Sequence, residues 1–145
     1  MGSQWELIVN FLQYLGVTIP LLLVGLLVFI FTTPYNEFRI IQNGKEAGDP
    51  QKVAAAKAVA YDLGGKLTGL ALVIASAVYH SVGLMDLVIW GAVGILFQVL
   101  VFYFFELVTP FRVIREIPEG NVAVGIFTSR LSLAAGLLMA ALISY

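Results

Sequence analysis

Four times along this chain an apolar stretch continues for roughly the 20 residues that a helix needs to cross the hydrocarbon of a bilayer. The stretches run from about Trp5 to Thr32, Val53 to His80, Asp86 to Val108 and Val122 to Tyr145. They predict an all-α membrane protein of four transmembrane helices and leave no room for a soluble catalytic domain. Composition points the same way: 60% of the 145 residues are hydrophobic and 12% are charged. Soluble domains carry about 45–50% apolar and about 25% charged residues.

The same composition excludes whole classes of chemistry. With a formal charge of -1 and a pI near 5.7, the chain has no basic field to hold nucleic acid by counterion release. It has no cysteine, hence no disulfide, thiolate metal site or cysteine nucleophile. A histidine-based metal site would need ligands from several copies, because His80 is the single histidine. No Ser-His-Asp arrangement, phosphate loop or zinc spacing is present, and nothing sets a base or oxyanion donors beside a serine. The expectation is a non-enzymatic protein without metal or cofactor.

The first stretch holds no Lys or Arg and so lacks the positive n-region of a cleaved signal peptide. It reads as a retained helix, with a kink expected at Pro20. The second begins in the Ala-rich run Val53 to Ala60 and is longer than a bilayer needs, so its first turns project into the cytoplasmic interface. The link Ser81 to Met85 is short enough only for a tight hairpin. Arg39, Lys45, Lys52 and Lys57 lie in or beside the first loop, and Arg112 and Arg115 lie in the third. Basic residues near helix ends are retained in the cytoplasm, so the two longer loops, about 33–52 and 109–121, face inward and both termini face out. Trp5, Tyr14, Tyr79 and Trp90 toward the outer ends, and Tyr35, Tyr61 and Phe111 toward the inner ends, suit interfacial belts.

Sliding the chain on itself by 76 positions pairs Phe29 with Phe105, Thr33-Pro34 with Thr109-Pro110, Tyr35 with Phe111, Arg39 with Arg115 and Gly44 with Gly120. Beyond that glycine an offset of 67 pairs Ala56 with Ala123, Ala58 with Gly125, Gly65 with Ser132 and Gly69 with Gly136. The chain therefore reads as two transmembrane hairpins in parallel repeat, residues 1–80 and 81–145. Each has a Thr-Pro helix stop at its cytoplasmic turn. The small residues Gly64, Gly65, Gly69, Ser132 and Gly136 let helix backbones approach closely, which matters where lipid supplies no hydrophobic drive for association.

Charged side chains at membrane depth are the remaining signal. Asp62 and Lys66 stand one turn apart on one helix face, acid before base, as suits an i,i+4 pair. Arg130 lies 15 residues before the C-terminus, roughly 22 Å from the outer end at 1.5 Å per residue. Glu106 ends the third stretch at about that level, so two acids and two bases can share a layer. Three readings remain open for it: snorkelling of Lys66 and Arg130 to lipid phosphates, a structural ion network, or an ion, proton or headgroup site. Gln98 reads as an interhelical hydrogen-bonding group and Asn121 as a helix cap.

Thr33-Pro34-Tyr35-Asn36-Glu37-Phe38 with the following Ile-Ile, then Gly64-Gly65, Gly69 and Ala75-Ser76-Ala77, resemble the YjfL-like family of bacterial inner-membrane proteins. Asp86 with Trp90-Gly91 and Gln98, then Asn121-Val122-Ala123 and Gly136, continue the resemblance over almost the entire length. The resemblance implies a multi-pass protein of the bacterial inner membrane with hairpin pairs of spans and uncharacterised activity. Relatives encoded near phage-shock-type membrane-stress proteins and ATP-grasp ligases imply a partner role by association. Two features depart from the family: an extra stretch around Lys45 to Val53, and Met139-Ala140-Ala141-Leu142 where relatives usually read Asn-Ala-Ala-Cys.

Two functions compete. In the first, the chain is a self-associating scaffold or subunit among membrane lipids, docking a cytoplasmic or membrane protein partner on the turns Thr33, Pro34, Glu37, Arg39 and Thr109, Pro110, Arg112, Arg115. In the second, it is an oligomeric ion channel or proton-coupled transporter that uses Asp62, Lys66, Glu106 and Arg130.

Overall fold

A computed structural model describes residues 2–144, and these form six helices and no strand. The four long ones are α1 (Gln4–Thr32), α3 (Pro50–His80), α4 (Leu84–Val108) and α6 (Val122–Ile143). Each is long and apolar enough to cross a membrane, and a helix satisfies its own backbone where water is absent. The predicted four spans are present; Tyr145, placed in the fourth, lies outside the described residues. Two short helices occupy the turns that the sequence reading left as loops: α2 (Glu37–Asn43) and α5 (Val113–Glu116).

Local chemistry sets the boundaries. Ser3 and Glu6 form a reciprocal capping box at the start of α1, and the helix continues unbroken through Pro20. Asp49 accepts the amides of Gln51 and Lys52 ahead of Pro50 at the start of α3. A proline there lacks only an N–H that would have no helical partner. Asn121 caps α6 by accepting the Val124 amide at 3.3 Å. Both Thr-Pro stops end a helix in the same way. The Thr33 and Thr109 amides close on the carbonyls of Phe29 and Phe105, and their hydroxyls donate to the same carbonyls at 2.7 and 2.6 Å.

α3 lies at the centre, and α6 packs along it almost backbone to backbone. A Cβ added at Gly65 would strike the Ser129 backbone, one at Gly125 the Ala58 backbone and one at Gly136 the Gly69 backbone. Hydrogen bonds reinforce this seam, since the Ser76 hydroxyl donates to the Ala140 carbonyl at 2.6 Å. Gly69 also leaves room for the Gln98 carboxamide, which donates to the Ser132 carbonyl at 3.0 Å and ties α4 to α6. Gly64, grouped with these in the sequence reading, is a correction: nothing lies where its Cβ would point. Successive helical residues turn by about 100°, so Gly64 and Gly65 cannot share one seam.

α1 lies at the edge, burying Leu21, Gly25 and Phe29 against α3 and α4. At the other end of the molecule the two turns meet. The Gln51 carboxamide donates to the Glu119 carbonyl, and Gly120, at φ +93°, brings the second turn against Ala54 and Ala55.

Candidate functional site

The site is built from α3 and the first turn. Asp62 and Lys66 sit on the inward face of α3, and the Lys66 ammonium lies 2.7 Å from Asp62 Oδ2. Thr33 ends α1, Asn36 caps α2 through the Arg39 amide, and the chain reverses so that Glu37 points back into the bundle. Its Oε1 stands 3.7 Å from the Lys66 ammonium and 3.1 Å from the Thr33 hydroxyl. The Phe102 ring of α4 closes the other side, its centroid 3.7 Å from the ammonium. Glu37, Asp62 and Lys66 are 0%, 0% and 2% exposed.

The centre is shut from solvent. The pocket against Phe102, lined also by Phe105, Thr128 and Ser132, holds about 10 Å³, the lower limit for one water. Lys66 therefore does not snorkel; its charge is held by protein. Formally the centre carries two carboxylates against one ammonium. Glu37 Oε2, Asp62 Oδ1, Gln98 Oε1 and the Tyr35 hydroxyl are shut from solvent without hydrogen-bond partners. Burial holds the Glu37 carboxyl above the usual carboxylate range; Asp62 adds to the rise, while Lys66 and Thr33 oppose it. The Tyr35 phenol is pushed up as well, by burial first and then by Asp62 and Glu37.

The four-residue layer expected from sequence divides. Asp62 and Lys66 meet, but Glu106 and Arg130 do not join them. Glu106 is half-buried, and its Oε2 accepts the Ile114 amide at 2.9 Å, so it caps α5 across the turn. Arg130 is exposed on α6, with no carboxylate partner among the described residues. Both departures arise because depth along a helix says nothing about the direction a side chain takes around it. Of the turn residues, Thr33 and Glu37 enter the site, whereas Pro34, Arg39, Pro110, Arg112 and Arg115 are exposed and Thr109 is half-buried. Arg115 pairs with Glu119 at 3.2 Å on the surface.

The sequence reading placed Glu37 on a turn and missed it as the second acid. A signal was available: in the 76-residue offset Glu37 falls opposite Val113, and both are 0% exposed. An acid at a position of that kind needs a buried partner. Tyr35 and Phe102 were missed as neighbours of the centre for want of any local pattern. Among the described residues no group of His, Asp and Glu is arranged to hold a metal.

Residues 3–143 match DUF350, a Domain of Unknown Function. The chain belongs to the DUF350 family. It is similar to the UPF0719 transmembrane protein YshE of Bacillus subtilis (strain 168), 29% identical over 143 residues, covering 97% of this chain and 98% of that one. It is similar also to the UPF0719 inner membrane protein YjfL of Escherichia coli (strain K12), 27% identical over 135 residues and 93% of each chain. No solved structure matches. With these relatives and its four apolar helices, this DUF350 chain is a multi-pass protein of the inner membrane. Met139 packs with Val73 and Ile143 beside Trp90, so the bundle is apolar at that level.

Proposed function

We propose that this chain is a non-enzymatic, self-associating membrane subunit that presents its two cytoplasmic turns to a partner protein. Both termini face outward in this reading, and the chain consists of two parallel hairpin repeats. The observation that carries it is the sealing of Lys66: a conductor needs its charge in water, whereas this ammonium is 2% exposed, paired with Asp62 and covered by Glu37 of the first turn. The buried centre as a whole pins that turn to α3. The surface so formed has a pocket of about 190 Å³ between the turns, lined by Ile40, Asn43, Gln51, Lys52, Ala55 and Pro118. Arg39, Arg112 and Arg115 are exposed around the turns, a basic rim suited to an acidic partner.

The test is co-purification from native membranes with Arg39, Arg112 and Arg115 changed together to Gln. Loss of a partner seen with the unaltered chain, with the oligomer intact, supports the reading; unchanged co-purification refutes the assignment of the turns.

A second reading, an oligomeric channel or proton-coupled transporter, is favoured by Arg130, an exposed cation on a membrane-spanning helix. Such residues are costly against lipid unless they snorkel, pair or line water. Ion and proton flux in proteoliposomes, compared with Arg130→Leu and Lys66→Leu proteins that still assemble, decides between the two. Flux altered by the substitutions supports conduction, and its absence across several ions and voltages leaves the subunit reading ahead.

A further inference from the structure

We propose that the Glu37–Asp62–Lys66 centre is a binding site for a single exchangeable proton, held on the Glu37 carboxyl, and that its occupancy decides whether α2 stays seated against α3.

Both acids and the one base are at most 2% exposed, and Lys66 is the only cation within ion-pair distance of either acid among the described residues. Fully ionised, the centre would keep one uncompensated negative charge away from water, which proteins avoid by neutralising the group. The distances identify the acid that is neutralised. Asp62 has the close contact of 2.7 Å expected of an anion on an ammonium, while Glu37 stands off at 3.7 Å.

The surroundings of Glu37 also suit a carboxylic acid. Its Oε2, like Asp62 Oδ1, is sealed from water and accepts no hydrogen bond, an expensive state for half of a carboxylate but a cheaper one for a neutral carbonyl oxygen. The centre therefore suits one neutral acid, and the longer distance to Lys66 makes it Glu37. The Thr33 hydroxyl has one hydrogen, which it directs at the Phe29 carbonyl 2.7 Å away. Its lone pairs are therefore free to accept a hydrogen bond from a protonated Glu37 Oε1, 3.1 Å away.

Of the charged groups that bear on Glu37, Asp62 raises its carboxyl and Lys66 lowers it. From α3 come Asp62 and Lys66, from the turn Tyr35, and from α4 Tyr103 and Glu106, which with Asp62 bear on the same phenol. Arg39 of α2 and Arg130, the one titratable group of α6, are exposed. Lys66 and the Thr33 hydroxyl oppose protonation, and burial outweighs them.

The chemistry is one acid dissociation: Glu37 carboxylic acid gives carboxylate and a proton, which passes to cytoplasmic water as α2 lifts. No route across the membrane is needed, because Glu37 is carried by the turn itself. The sign follows from linkage. The seated carboxyl binds its proton more tightly than the freed one, whose ordinary value is 4.5. Seating is fully favoured below that ordinary value and is lost as pH rises through the higher seated value.

The chain has no cysteine, so nitroxide labels can be placed at Phe38→Cys on α2 and Lys57→Cys on α3, both exposed. Pulsed electron-electron resonance in lipid nanodiscs then reads their separation against pH. The expected result is one transition to longer distances, its midpoint above the ordinary carboxylate range, and loss of that transition in Glu37→Gln. A separation that ignores pH in the otherwise unaltered chain overturns the proposal, as does the same transition surviving in Glu37→Gln. If Glu37→Gln does not assemble, infrared difference spectra of the chain with and without Asp62→Asn serve instead. A protonated-carboxyl band that fades with rising pH in both supports Glu37. No band, or a band lost with Asp62, overturns it.

Discussion

Replacing Lys66 with Met tests the centre most directly, because the change keeps most of the side-chain volume and removes only the charge. The ammonium is 2% exposed, 2.7 Å from Asp62 Oδ2 and 3.7 Å from the Phe102 ring. Its loss leaves Asp62 charged and unpaired, and breaking a buried pair from one side costs about 3–5 kcal/mol. Against a total stability of about 5–15 kcal/mol, that is a large fraction. Reversible unfolding in mixed micelles at neutral pH measures it. Loss of Lys66 removes the charge that opposes the rise of the Glu37 carboxyl, so the deficit is smallest in acid and grows as pH rises. Adding Asp62→Asn to Lys66→Met restores most of the loss, since an orphaned charge costs more than a neutral amide. A deficit below about 1 kcal/mol, the range of exposed pairs, with no effect of the second substitution, refutes the claim that protein holds this charge.

Gly136→Val forces the α3–α6 seam apart at the Gly69 backbone and costs about 1–3 kcal/mol of overpacking, whereas Gly64→Ala, with open space at its Cβ, stays within about 0.5 kcal/mol; the same unfolding assay compares them. Glu106→Ala removes the acceptor of the Ile114 amide and costs about 1 kcal/mol, as loss of a helix cap does. Amide exchange checks it, with loss of protection confined to α5 and the residues that follow.

The spans were legible because length and apolarity are enough to define them, but their facing was not. Phe29 and Phe31 stand two residues apart on α1 and are 1% and 82% exposed. In lipid the outward face is as apolar as the inward one, so periodicity carries little information and packing shape decides. Small residues carried more of it: Gly65, Gly69, Ser132 and Gly136 all line the α3–α6 seam, and only neighbouring Gly64 misled. The Asp62–Lys66 pair was readable because it lies within one helical turn. Glu37 was not, since it reaches Lys66 from another element after the chain has reversed. Glu106 was misplaced for the same reason, its partner lying 8 residues on, beyond the end of its helix.

The two halves of the chain suggest how to separate what the charged centre does for stability from what it does as a site. Under the offsets of 76 and 67, Glu37, Asp62 and Lys66 fall opposite Val113, Ser129 and Leu133. Val113 and Ser129 are buried, at 0% and 7% exposure, so the second half seats its turn helix without an ion network. Writing that solution into the first half, as Glu37→Val, Asp62→Ser and Lys66→Leu together, removes all three ionisable groups at once and orphans none. Replacing a buried ion network with packed apolar residues is neutral or stabilising by about 1–4 kcal/mol in many proteins. The triple variant is expected to unfold no more easily than the parent, even though Lys66→Met alone loses several kcal/mol, and its α2–α3 separation is expected to ignore pH. A triple variant as unstable as Lys66→Met would mean that the charges hold the turn in a way packing cannot replace. A stable variant that still moved with pH would place the responsive group outside the centre.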